Sequence, residues 1–244
     1  MDFQVIGANI AKIMSQYWRV FLLEGLSVTL ELTFISVLLG VVLGTVVAML
    51  KMSRFKLIRF LVSVYVEVIR GTPILLQLYI FVFALPGLVT FVKLNYFTWT
   101  AIALCINSSA YVSEVIRSGI QAVDRGQTEA ARSLGLSSGQ TMLRIVLPQA
   151  VKNILPALGN EFIMMLKETS LASTFFVGDL MTSYATVRGT TYLGFECLVI
   201  VGCIYLCITY PLSKLVGLME KRMSGDTSYR KRNINRKRKL LNKM

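Results

Sequence analysis

Five long apolar runs divide this chain, and each can cross a bilayer as a helix. Leu26 to Leu50 is marked only by Glu31. Leu57 to Leu85 is interrupted around Glu67 to Pro73, and Phe97 to Ile120 keeps its polar residues toward its C-terminal end. Ala150 to about Phe176 is interrupted by Lys167-Glu168, and Leu193 to Leu218 is the fifth. At ~1.5 Å per residue, ~25 residues reach ~37 Å, enough for a ~30 Å hydrocarbon core with tilt. Inside lipid the backbone must satisfy its own polar groups, so runs of this length predict helices. The expected class is an all-α polytopic membrane protein with five transmembrane helices. A hydrophobic content of 55% with 16% charge and a mean hydropathy of +0.62 excludes a soluble domain of 244 residues.

Charge asymmetry orients the bundle. Lys51, Arg54, Lys56 and Arg59 follow the first run; Arg117, Arg125, Arg132, Arg144 and Lys152 lie between the third and fourth. Lys214 and ten Lys/Arg from Lys221 onward follow the fifth. Only Lys12, Arg19, Lys93 and Arg188 fall on the other side. The positive-inside rule then places the N-terminus outside and the C-terminus inside, as five spans require.

The segments outside the spans read differently. Residues 1–24 lack the basic head of a cleavable signal peptide, and their mixed pattern with Tyr17, Trp18 and Arg19 reads as an interfacial segment or a helical stub packed on the bundle. Residues 25–218 form the membrane domain. Residues 219–244 are a basic tail suited to anionic lipid headgroups rather than to nucleic acid, and the tail supplies most of the net charge of +13. Cys105, Cys197, Cys203 and Cys207 all fall within spans without metal-ligand spacing, and there is no histidine. No metal and no catalytic residue is expected.

The polar stretch at about 121–149 carries local helix chemistry. Asp124 and Gln127 have capping-box spacing, Gly135 suits the left-handed residue that ends a helix, and Ser137 with Gln140 repeats the box. Pro148 would interrupt the second helix or begin a new one. Two short helices at an angle, with small Ala130 and Ala131 on the first, suit a knob entering a groove on a partner. An ordinary surface helix-turn-helix is the plainer alternative.

Ionisable residues within a span are costly and therefore functional candidates. Glu67 and Arg70 can pair on one helix face or contact a ligand. Thr72-Pro73 signals a helix start, so the second span is predicted to break, with one helix ending near Arg70 and a half-helix starting at Pro73. Its N–H groups and Arg70 suit a carboxylate. Gln77, one turn on, can hydrogen-bond an amide. In the fourth span Lys167, Glu168, Thr169 and Ser170 can line a cavity and hold both ends of a zwitterion; Lys167 and Glu168 can equally neutralise Glu67 and Arg70. Glu114 and Arg117 read as a structural pair or an inner-gate group.

Three blocks carry a family resemblance. Glu129-Ala130-Ala131, Gly135 and Ile145-Val146-Leu147-Pro148 resemble the cytoplasmic EAA loop of membrane subunits of binding-protein-dependent ABC importers. Tyr65 to Leu78, with Glu67, Arg70-Gly71-Thr72-Pro73 and Gln77-Leu78, resembles the E-x-x-R-G-T-P-x-L-x-Q-L signature of polar amino-acid permeases. Tyr111 to Ile120 is similar to their third-span block, and Lys167-Glu168-Thr169-Ser170-Leu171 to their K-[DE]-T-S-L block. The resemblance covers most of Gly25 to Leu218 and implies the type I ABC importer permease fold of the histidine/glutamine/glutamate/arginine type, in the cytoplasmic membrane of a prokaryote. It implies a dimer with a second permease chain, an ABC ATPase subunit dimer that uses the ATP, and an extracytoplasmic amino-acid-binding protein. Glu129, Ala130, Ala131, Gly135, Leu147 and Pro148 would couple to the ATPase. Glu67, Arg70, Thr72, Gln77, Lys167, Glu168, Thr169 and Ser170 would line the path. The family's Ile-Gly-Val-x-Glu-Leu run appears only loosely as Phe176-Val177-Gly178-Asp179-Leu180.

A stand-alone secondary transporter or channel also tolerates intramembrane charge. It would give the capped loop no purpose, and five spans show no inverted repeat. The chain has no G-x-x-x-x-G-K-[ST] loop, so ATP hydrolysis would belong to a partner, and no cofactor is expected on this chain.

Overall fold

The computed structural model describes residues 3–89, 91 and 93–241, with side chains described to Met223. Helix makes up 89% of it, and no strand occurs among the described residues. In chain order the helices are α1 (Phe3–Arg19), α2 (Leu26–Lys51), α3 (Lys56–Gly71), α4 (Ile74–Tyr79), α5 (Leu85–Leu88), α6 (Tyr96–Gln121), α7 (Arg125–Ser133), α8 (Ser138–Thr141), α9 (Leu147–Glu168), α10 (Leu180–Thr191) and α11 (Gly194–Leu241). Wide π turns at Val20–Gly25, Ile80–Ala84 and Met142–Val146 join consecutive helices, and a 3-10 segment, Thr169–Phe175, follows α9.

Two of the wide turns directly precede a proline, Pro86 in α5 and Pro148 in α9. A proline donates no N–H and clashes with the carbonyl four residues back; a widened turn relieves both faults without ending the helix. Pro148 therefore neither interrupts nor restarts the chain, which stays helical from Ser138 to Glu168. The third wide turn packs on α10, where Ser183 Oγ donates to the Val20 carbonyl at 3.0 Å. It makes α1 continuous with α2.

Two compact units divide the chain. The first comprises Met1–Glu114 with Glu161–Tyr210. One core there gathers Val37, Leu78, Val82, Trp99, Leu104, Met165 and Phe175. A second packs Ile13 of α1 and Phe21 against Leu180, Val187, Cys197 and Ile200. Helices α2 and α6 approach closely through small residues: a Cβ on Gly44 would lie 2.8 Å from the Ser109 carbonyl oxygen and from Val112. Gly44→Val is accordingly expected to destabilise the protein by ~1–3 kcal/mol, read as a lowered thermal midpoint in detergent. Gly7→Ala, with open space around Gly7, should leave the midpoint unchanged. The second unit, Val115–Asn160 with Pro211–Met244, holds the polar loop. The backbone of the basic tail continues α11 to Leu241; its side chains beyond Met223 lie outside the described residues.

By length and composition alone, two helical stretches suffice to cross a membrane, Phe3–Lys51 and Gly194–Met223, and a third is added if the bent pair Lys56–Gly71 and Ile74–Leu88 counts as one span. Helices α6 and α9 are 26 and 22 residues long but less apolar. Their sequences carry inward polar groups, Thr100, Asn107, Ser108, Ser109 and Ser113 on α6 and Glu161 on α9, all buried. A helix facing a polar interior need not be apolar all round.

Candidate functional site

The break in the second apolar run is sharp: α3 and the helix after it meet at 106°. The half-helix begins at Ile74, one residue later than the sequence suggests, because Pro73 is extended (φ −60°, ψ 135°). Thr72 does not cap it; its Oγ1 donates backward to the Val68 carbonyl at 2.8 Å. What fixes the break is Gln77. Its Nε2 donates to the carbonyls of Ile69 (2.7 Å) and Thr72 (3.2 Å) and to Thr72 Oγ1 (2.9 Å), while its Oε1 accepts from Asn107 Nδ2 of α6 at 2.9 Å. Carbonyls freed by the bend would otherwise be orphaned in an apolar bundle. Gln77 thus supports the break from behind, a role its spacing alone did not disclose.

Arg70 does not pair with Glu67, which is exposed. Its guanidinium stacks over Tyr111 with Cζ 5.3 Å from the ring centroid, and Nη1 lies 3.7 Å from Glu114 Oε2. Glu114 Oε1 takes Lys51 Nζ at 2.6 Å. Arg117 reaches Gln121 Oε1 at 2.8 Å. Tyr65 ties α3 to α6 through the Ile106 carbonyl at 3.0 Å and Ser109 Oγ at 2.6 Å.

In the fourth run Lys167 is exposed and Glu168 half-buried, and neither forms an ion pair with Glu67 or Arg70 among the described residues. Thr169 is fully buried with its hydroxyl on the Leu166 carbonyl, and Ser170 is half-buried. Seven residues before Glu168 lies a carboxylate that sequence reasoning passed over: Glu161 is 5% exposed, with Ser108 Oγ at 3.5 Å. The signal was present, since Glu161 is an ionisable residue inside an apolar run. Beyond the run, Phe176 and Gly178 turn left-handed (φ 51° and 91°), and fully buried Asp179 caps α10 through the N–H groups of Met181 and Thr182. Burial pushes the Asp179 carboxyl above the ordinary aspartate range, and these hydrogen bonds oppose the rise.

The polar loop folds into a rigid elbow. Asp124 caps α7 by accepting from Gly126 N at 2.8 Å, rather than through a reciprocal box with Gln127. Gly135 adopts φ +86°, and the Gly135 and Leu136 N–H groups return to the Arg132 and Ala131 carbonyls at 3.0 and 3.2 Å, the Schellman pattern. The second box is complete: Ser137 N donates to Gln140 Oε1 at 2.9 Å and Gln140 N to Ser137 Oγ at 3.3 Å. Glu129 and Ala130 are exposed, whereas Ala131 is buried and packs inward. Leu134 is 81% exposed at the bend; Leu147 and Pro148 are also exposed. A cleft of about 740 Å³ beneath the elbow is lined by Arg125, Thr128, Arg132, Ser138, Thr141 and Val146.

The chain is similar to known proteins along most of its length. Residues 40–225 match the family model described as binding-protein-dependent transport system inner membrane component. The arginine transport system permease protein ArtQ of Bacillus subtilis (strain 168) is 40% identical over 206 residues, covering 84% of this chain and 94% of the relative. The nopaline transport system permease protein NocM of Agrobacterium fabrum is 37% identical over 232 residues, covering 90% and 91%. A crystal structure of an amino acid ABC transporter with histidines aligns with a TM-score of 0.82 at 46% identity, covering 91% of this chain and 99% of that one. An inward-facing structure of the MetNI methionine ABC transporter (TM-score 0.62, 20% identity, covering 80% and 94%) shares the fold. With the family model spanning most of its length, the chain belongs to the inner membrane components of binding-protein-dependent transport systems.

Proposed function

We propose that the chain is the permease subunit of an ATP-driven, binding-protein-dependent importer of polar amino acids. The elbow carries this reading: caps at both helix starts and a Schellman stop fix α7 against α8, and they leave Glu129, Ala130 and Leu134 facing outward. A loop held so firmly, with its apolar tip bare, suits a handle for another protein rather than a passive link. The partners are a dimer of ATPase subunits on the inner side, a second permease chain and an extracytoplasmic binding protein. We assign the five spans to α2, the bent pair α3–α4, α6, α9 and α11, with the N-terminus outside, in a cytoplasmic membrane. Relatives named for arginine, glutamine and nopaline transport support an amino-acid cargo. The path residues are Arg70 at the break with Glu67 and Thr72, and Lys167, Glu168, Thr169 and Ser170 in the fourth span; Gln77 braces the break. ATP is consumed by the partner.

Reconstitution tests it. Vesicles holding the permease with its ATPase subunits, supplied with binding protein on one face and ATP on the other, should accumulate labelled amino acid. Vesicles holding this chain alone should accumulate none, and concentrative uptake by the lone chain would overturn the reading.

A further inference from the structure

Lys51 closes α2 and Arg70 lies in the last turn of α3, so both cations sit at helix C-termini, where free carbonyls favour positive charge. Glu114 lies between them, and its two contacts are unequal. Lys51 Nζ at 2.6 Å makes a direct charge-assisted hydrogen bond. Arg70 Nη1 at 3.7 Å is beyond hydrogen-bond distance. The exposures follow the same order: 16% for the side chains of both Lys51 and Glu114, 43% for Arg70. Tyr111 holds the guanidinium over its ring face, and no hydrogen bond joins that guanidinium to a protein group among the described residues. The planar fork, built to take a carboxylate with two parallel N–H donors, is oriented and open.

Without Lys51, Glu114 would lose its direct partner, and the nearest alternative is the guanidinium 3.7 Å away. A half-buried carboxylate beside such a fork closes onto it, because an unpaired charge there is expensive. We propose that Lys51 is a positioning residue for Arg70: by engaging Glu114 it keeps this carboxylate off the guanidinium, which stays free for the α-carboxylate of a transported amino acid. Within the trio two cations share one carboxylate, so an arriving carboxylate completes the charge balance. The inference rests on the reading of Arg70 as a ligand contact.

The test compares acid with amide. The permease assembled with its ATPase subunits in lipid nanodiscs, without binding protein, is titrated with L-arginine against L-argininamide and L-glutamine against L-glutaminamide. The wild type should prefer the acid by about tenfold, as expected for one charge-assisted contact. Arg70→Gln should erase the preference, and Lys51→Met should erase most of it. Lys51→Arg should retain it, and the double variant Lys51→Met/Glu114→Gln should recover it. Loss of helix packing would weaken acid and amide alike and leave their ratio intact, so an intact ratio in Lys51→Met, with Arg70→Gln showing none, overturns the role of Lys51 alone. A wild type with no acid preference, or an Arg70→Gln variant that keeps it, overturns the Arg70 reading and the role of Lys51 with it.

Discussion

Replacing Glu129 with lysine is expected to abolish uptake while the protein still inserts and folds. Glu129 is exposed in the middle of α7, and neither the Asp124 cap nor the Schellman stop involves its side chain. The substitution therefore leaves the elbow's own scaffolding intact and changes only what a partner meets. Reversing a charge at a docked surface places like charges together at a cost of several kcal/mol, on the order of a hundredfold or more in affinity. Copurification of the ATPase subunits and substrate-dependent ATP hydrolysis provide the readout, with the thermal midpoint of the purified variant as the folding control. Normal transport by this variant would remove the elbow from the mechanism.

Arg70→Ala is expected to lower apparent affinity for an amino acid by on the order of 30-fold, the equivalent of ~2 kcal/mol for a lost charge-assisted contact. The side chain is 43% exposed and hydrogen-bonds to nothing else in the protein, so its loss should cost little stability. Glu114 keeps Lys51 as a direct partner at 2.6 Å, and Gln77 still braces the break. Uptake measured over a range of amino-acid concentrations should show the loss at low concentration first. Equal rates at every concentration would assign Arg70 to structure.

The features legible in the sequence are those written within four or five residues. Ser137 and Gln140 form their box because a hydroxyl and an amide three apart can satisfy each other's backbone N–H, and Gly135 turns left-handed because it lacks a Cβ. Thr72-Pro73 announces the break for the same local reason, and tertiary support moves its start by a single residue. Partners chosen across the bundle were not legible. Glu67 lies one turn from Arg70, but the guanidinium turns to Tyr111 and Glu114, more than forty residues on. Lys51 reads as one more inner-face charge, and nothing local indicates that it reaches Glu114. Gln77 looks like a ligand group because an amide in a span needs partners; the structure supplies them from the bend itself and from Asn107. The wide turns are marked in sequence only by the prolines that follow two of them.

The turn at Met142–Val146 has a consequence for how this elbow can drift over generations. A π turn holds one residue more than an ordinary turn, so it advances the angular phase of everything on its far side by about 100°. Losing Pro148 would remove the reason for that surplus, and the helix could rewind, swinging α8 around the axis of α9 and spoiling its aim. Deleting one residue between 142 and 146 would then be the natural compensating change, which makes proline and surplus residue a single heritable unit.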